Sequence, residues 1–404
     1  MNIAIIGAGA SGLVTAISAM QNAAEKNTDC HVTLFEAKDR VGKKILVTGN
    51  GRCNMLNKDK TPFYFSVNSF HSYAIDKYNA QSNLDFFNRL GLYTRTDEEG
   101  RVYPLSNQAS TVLDVLRLEC ENLKIRTVTD CEITSLKKEK SGFLVNNEMR
   151  FDKVVLACGG KAGVKSFNGY DLLRQLNHKV TKVTPSLSKL NVSDTGLVKQ
   201  LQGIRHKVKL TLNAGGRYVT EEKGELLFAK YGLSGIAAMQ LSAYITRLSE
   251  KDGKVIVYAD FVPDYDYSFI ANAMESLICR NREIRTENLL SGFMPKKLGE
   301  AVMKEMGYDV SGEAVRLKKT DIINIAKRVK KYPFVIHSVR PFEDAQVTAG
   351  GADTSLFNPK TMESRLHKGF YAVGEVLDVD GLCGGYNLMW AWSSARLCGE
   401  SIVR

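Results

Sequence analysis

The sequence of 404 residues is poor in proline, with 8, in tryptophan, with 2, and in histidine, with 6. So little proline excludes a polyproline linker, and 44% hydrophobic with 25% charged residues excludes disordered and collagen-like classes. Metal-ligand spacing is absent too. The 8 cysteines, at 30, 53, 120, 131, 158, 279, 383 and 398, include no Cys-x-x-Cys pair and no cluster with histidine. That scatter speaks against a structural zinc site and for free thiols in a reducing compartment, so a cytoplasmic protein is expected with no metal. Long hydrophobic runs are missing as well. Residues 3–19 form the most apolar early stretch, but Gly7, Gly9, Ser11 and Gly12 break it, and neither a signal peptide nor a membrane span is expected.

What is present is an excess of 55 Lys and Arg over 44 Asp and Glu, a net charge of +11. The cations gather at Lys137, Lys138 and Lys140, at Arg316, Lys318 and Lys319, and at Lys327, Arg328, Lys330 and Lys331. Solvated helix faces are the expected role of these groups. Aromatic residues accompany them only at Tyr332 and Phe334, so nucleic acid is not the expected partner.

The N-terminus carries the strongest local pattern. Residues 2–6 are a β-branched run, followed by Gly7-Ala8-Gly9-Ala10-Ser11-Gly12 and then helical apolar spacing from Leu13 to Ala24. In a strand, glycine loop and helix of this kind the first glycine permits the turn and the second lets a pyrophosphate approach. The third lets helix and strand pack, while the free N–H groups of the helix start face the phosphates. A second strand, His31 to Phe35, ends at Glu36, where a carboxylate accepts hydrogen bonds from an adenosine ribose. The chain is then expected to run as a loop, with Arg40, Gly42, Lys43, Lys44, Thr48, Gly49, Asn50, Gly51, Arg52, Cys53 and Asn54 lying along a flat anionic ligand. A plain nicotinamide dehydrogenase needs no such loop, whereas FAD needs a segment reaching from the pyrophosphate toward the flavin.

Two later segments repeat the logic. Lys153 to Ala157 reads as a buried strand ending at Cys158, Gly159 and Gly160. Near the C-terminus a strand over 369–373 ends at Gly374 and Glu375, followed by Cys383-Gly384-Gly385-Tyr386-Asn387 and a helix from Leu388 to Ser401. Glu375 suits ribityl hydroxyls, and the N–H groups of Tyr386, Asn387 and Leu388 suit the electron-rich O2 side of a flavin.

Five runs, namely Thr48 to Asn54, Gly100 to Ser106, Val347 to Gly351, Thr361 to Ser364 and Gly374 through Asn387 to Ser394, resemble the bacterial YhiN/BaiN-like flavoproteins. The resemblance implies an FAD-binding, NAD(P)/FAD-dependent oxidoreductase-type fold of three domains. Family members include enone reductases of the bile-acid type and an aminoacetone oxidase. The chain departs from the pattern within Gly224 to Ile236, where Ala229 and Lys230 replace Thr-His and Ile236 replaces Pro, and Gly160 to Tyr170 keeps only part of a glycine- and serine-rich segment.

The fold expected is α/β: a discontinuous Rossmann-like FAD-binding domain, residues 1–185 and 346–404, with a β-barrel-like insert over 186–262 and 331–345 and a nested helical subdomain over 263–330. Alternating stretches at Lys207 to Leu212 and Lys254 to Ala259 indicate barrel strands, and three-to-four spacing from Tyr267 to Lys330 indicates helices. No second nucleotide fingerprint is visible, so NAD(P)H is expected to dock only transiently. Candidate catalytic residues are Arg52, Asn54 and Lys230. Cys53, Cys158 and Cys383 are expected to be packed thiols, His206 and His337 structural, and Trp390 and Trp392 helix-packing residues. The function expected is an FAD-dependent reductase or dehydrogenase of a small enone, amine or alcohol. An FAD-dependent amine oxidase releasing peroxide and an RNA-binding or tRNA-modifying flavoprotein are the alternatives.

Overall fold

The computed structural model describes residues 1–58, 63–164 and 167–404, in two compact units: Met1–Thr184 with Val347–Arg404, and Pro185–Gln346. The first is built on a five-stranded sheet ordered Phe370–Ala372, Lys153–Leu156, Asn2–Ile6, His31–Phe35, Arg126–Val128. Every pairing in it is parallel. Ile3, Ala4 and Ile5 in the central strand are fully buried, as β-branched and small residues must be when both faces of a sheet are covered. Because the strands are parallel, Gly7, Glu36, Ala157 and Gly374 all follow strand ends on one edge of the sheet, the edge where such folds bind ligands.

Two helices lie together over this sheet, Ala10–Glu25 and Tyr386–Ile402. Their approach is close enough that a Cβ on Gly399 would stand 2.5 Å from the Ser18 Cβ. Small accessory sheets complete the unit. One is the antiparallel meander Leu136–Lys138, Phe143–Val145, Met149–Phe151; another joins Leu56–Asn57, Arg101–Pro104 and Thr94–Thr96.

The second unit contains a closed barrel in the order Leu190–Val192, Gly232–Ser234, Arg217–Ala229, Arg205–Ala214, Val255–Asp260, Tyr332–Val339. Alternation makes the barrel: Val208, Leu210, Leu212 and Ala214 point inward along one strand. Antiparallel pairing of Leu190 with Val339 closes it. Helices Tyr267–Arg280, Lys296–Glu305 and Lys319–Lys330 enter between the fifth and sixth strands, and their apolar faces join the barrel side chains in one core. Asp266 caps the first of them by accepting from the Phe269 N–H.

Local departures from the sequence reading have simple causes. The cationic segment after Glu36 is not all loop, because Lys43–Val47 forms a short helix once Gly42 takes a left-handed φ of 69°. The last barrel strand starts at Tyr332 and stops at Val339, since Pro341 redirects the chain into a 3-10 turn at Phe342–Asp344. The C-terminal helix begins at Tyr386, two residues before the position read from its apolar spacing. Of the segment from Gly160 to Tyr170, residues 165 and 166 lie outside the described residues. Among the described residues no helix is long and apolar enough to cross a membrane.

Candidate active site

The three glycines of the first loop have different surroundings. Gly7, at φ 105°, would place a Cβ 2.6 Å from the Ala157 carbonyl oxygen, and Gly12 would place one 1.8 Å from the Gly7 oxygen. Both are required by the chain's own packing. Gly9 is not, since a Cβ there would meet nothing within 4 Å among the described residues. The helix that follows has no side-chain cap and no acid in its first turn, so its N–H groups and positive dipole end remain uncompensated from within.

Glu36 is held beside this loop. Its carboxylate accepts from the Ala8 N–H and the Lys38 N–H, both at 3.1 Å, which leaves lone pairs for further donors. The Gly42 N–H donates to the Ala8 oxygen at 2.9 Å, drawing the cationic segment alongside. Within that segment Lys43 pairs with Asp39, while Lys44 reaches Glu375 at 2.8 Å. Glu375 also accepts from the Thr348 N–H at 2.8 Å, and Thr348 in turn accepts through its hydroxyl from the Ala162 N–H at 2.9 Å. A Cβ on Gly160 would strike both Glu375 and Thr348 at 2.6 Å. Residues read from the N-terminal, middle and C-terminal motifs thus meet on one sheet edge. Thr348 had no assigned role in the sequence; its place inside the Val347 to Gly351 run was the available signal.

The turn from Thr48 to Asn54 is backbone-strained, with Asn50 at φ 56° and Cys53 at φ 54°. The Cys53 thiol is buried, which pushes its pKa up to about 12, and burial does the same for Cys158. Neither is a thiolate at neutral pH. Arg52 is exposed, and its guanidinium lies 5.2 Å from the Tyr103 ring centroid, with Arg95 also on that ring at 5.1 Å. Asn54 carries a buried Oδ1 with no hydrogen-bond partner among the described residues, an acceptor left unmatched.

Gly385 sits directly on Asn54. It has φ 104°, and a Cβ would lie 2.6 Å from the Leu56 carbonyl carbon and 2.8 Å from Asn54 Oδ1. This glycine starts the helix Tyr386–Ile402, which again has no side-chain cap and no first-turn acid. The Asn387 side chain is spent internally: it accepts from the Gly381 N–H and donates to the Gly381 oxygen, both at 2.8 Å, so it is not available to a ligand. Trp390 donates to the Gly374 oxygen at 3.1 Å and Trp392 to the Met55 oxygen at 2.9 Å, so both indoles brace the loops from behind.

Lys230 belongs to the barrel unit, where it is exposed on the turn between Arg217–Ala229 and Gly232–Ser234. His206 bonds the Phe261 oxygen at 2.7 Å, a structural role. A shallow groove of about 700 Å³ lined by Asn2, Glu139, Arg150 and Asp152 lies at the amino ends of the parallel strands, the edge opposite the glycine loops.

The chemistry of this donor set fits FAD. Two helix starts without caps or first-turn acids suit a group with negative charge, the carboxylates of Glu36 and Glu375 suit one with hydroxyls, and the unmatched Asn54 oxygen suits one with an N–H.

Comparison with known proteins agrees. The family model described as HI0933-like protein Rossmann domain matches residues 1–401. The 3-dehydro-bile acid delta(4,6)-reductase of Clostridium scindens is 35% identical over 99% of this chain and 98% of its own length. The ribosomal RNA dihydrouridine synthase of Haemophilus influenzae is 28% identical over 99% of this chain and 98% of its own. With that coverage and that sheet edge, the chain belongs to the HI0933-like Rossmann family and is an FAD-dependent oxidoreductase.

Proposed function

We propose that the protein reduces a carbon–carbon double bond conjugated to a carbonyl, with electrons from NAD(P)H. What carries this is the chemistry shared by the two relatives' names: a Δ4,6 double bond beside a 3-keto group, and the C5–C6 bond of uracil beside its C4 carbonyl, are both enone-like. FAD, when bound, supplies the two-electron carrier such a reduction needs. In this reading Gly9, Ala10, Ser11 and Gly12 present backbone N–H groups to the pyrophosphate, Glu36 holds the adenosine ribose, and Glu375, steadied by Lys44, holds ribityl hydroxyls. The start of the helix Tyr386–Ile402 favours negative charge on the flavin's O2 side, and Asn54 takes a ring N–H. The described residues contain one parallel sheet, which is consistent with a nicotinamide that docks without a domain of its own.

The test is anaerobic. The band near 450 nm, about where any oxidised flavin absorbs, should bleach with NADPH or NADH and return on adding a 3-keto-Δ4,6 steroid. Bleaching by an amine but by neither nicotinamide, with return on adding oxygen, would favour an amine oxidase and overturn the reductase reading. Arg52→Ala should leave FAD bound and the melting temperature nearly unchanged, because the side chain is exposed. Its flavin should be reduced about tenfold more slowly, a cost of about 1.4 kcal/mol; unchanged stopped-flow rates would remove Arg52 from the site.

A second reading, reduction of uracil in RNA, is favoured by the net charge of +11 and by the name of the Haemophilus relative. Dihydrouridine absent from the ribosomal RNA of a deletion strain, measured by mass spectrometry, would establish it.

A further inference from the structure

Tyr170 is the second residue of the short helix Gly169–Gln175 and is 7% exposed. Its hydroxyl is buried and has no hydrogen-bond partner among the described residues, which is unusual for a phenol that both donates and accepts. The ring is held edge-on by Phe167, centroids 4.7 Å apart. The helix start is pressed onto the middle glycine motif so tightly that a Cβ on Gly169 would stand 2.3 Å from the Cys158 sulfur. The carboxylates whose charge reaches the phenol are Glu375 and Asp378. Burial, and then these neighbours, raise its pKa well above the usual tyrosine range. The hydroxyl therefore stays protonated and, among the described residues, keeps its donor unspent, with its helix start packed against the Cys158 that ends the middle motif.

We propose that the Tyr170 hydroxyl is a direct ligand of the bound cofactor, donating a hydrogen bond to an acceptor oxygen of FAD. The inference rests on the reading of the glycine-loop edge as the FAD site. It explains a buried polar atom that packing alone would have replaced with phenylalanine, since an unmatched hydroxyl weakens the chain that carries it.

That asymmetry supplies the experiment. Tyr170→Phe removes the oxygen and keeps the ring; Phe167→Leu disturbs the ring and keeps the oxygen. FAD affinity is measured by titrating flavin-stripped protein, and thermal stability is measured with and without FAD. Tyr170→Phe should weaken FAD binding about tenfold while the stripped protein melts no lower than wild type. Phe167→Leu should lower the melting temperature of the stripped protein with little change in FAD affinity. Wild-type FAD affinity in Tyr170→Phe would overturn the proposal and leave the FAD site standing, and so would an equal loss of stability with and without FAD. An altered KM for the enone at unchanged FAD affinity would reassign the hydroxyl to the substrate and overturn it likewise. Failure of the wild-type protein to take up FAD at all would bring down the reading of the site together with the proposal.

Discussion

Gly9→Val and Gly12→Val are expected to give colourless protein for two different reasons. At Gly9 the backbone is extended, φ −86° and ψ −161°, with no positive φ to exclude a side chain, and a Cβ would meet nothing within 4 Å among the described residues. The variant should fold with a near-normal melting temperature once stripped of flavin. Its isopropyl group, however, would occupy the space over the helix start where a pyrophosphate must approach the N–H groups, so FAD affinity should fall by at least about a hundredfold, roughly 2.7 kcal/mol. At Gly12 the new Cβ would stand 1.8 Å from the Gly7 oxygen, so helix and strand must separate. That overpacking costs about 1–3 kcal/mol and lowers the melting temperature by several degrees even without ligand. Calorimetry of the stripped proteins separates the two cases. Retention of yellow colour by the Gly9 variant would show that no phosphate lies over this loop.

The same comparison shows what a sequence discloses. The first strand and the second, His31–Phe35, occur where β-branched runs and the glycine spacing place them, because their determinants are local and unopposed. The packing role of Trp390 and Trp392 was also legible from helical spacing, and their indole hydrogen bonds agree with it. Accessory strands of two to four residues were not. Leu56–Asn57 finds its partner in Arg101–Pro104 only through tertiary contact, and so short a run carries no periodicity. Asn387 exposes another limit. The sequence places it at a helix start facing a ligand, yet its side chain closes the loop onto Gly381, a pairing that depends on the three-dimensional path of residues 381–387. The value of Tyr170 was invisible for a related reason. A tyrosine in a short apolar helix reads as core, and only the lack of a hydrogen-bond partner for its hydroxyl among the described residues, a property of the packed neighbourhood, distinguishes it from phenylalanine.

Gly385→Ala is expected to damage the other end of the site. The residue holds φ 104°, a conformation that costs alanine about 1–2 kcal/mol. Its Cβ would also meet the Leu56 carbonyl at 2.6–2.7 Å and Asn54 Oδ1 at 2.8 Å, and backbone cannot swing aside as a flexible side-chain end can. The start of the helix Tyr386–Ile402 must therefore lift from the Asn54 turn. Two consequences follow at different scales. Global stability should drop by about 2–5 kcal/mol, the strain plus the overpacking, which denaturant titration of the flavin-stripped protein would register. The remaining folded protein should still bind FAD through the first loop and Glu36, but the flavin's O2 side would face a displaced helix dipole. Reduced flavin, which carries negative charge there, loses more than oxidised flavin. The midpoint potential should become more negative, by about 30 mV for each 1.4 kcal/mol of lost differential stabilisation. An unchanged potential in a variant that retains FAD would remove this helix start from the flavin, and with it the role assigned to the second half of the site.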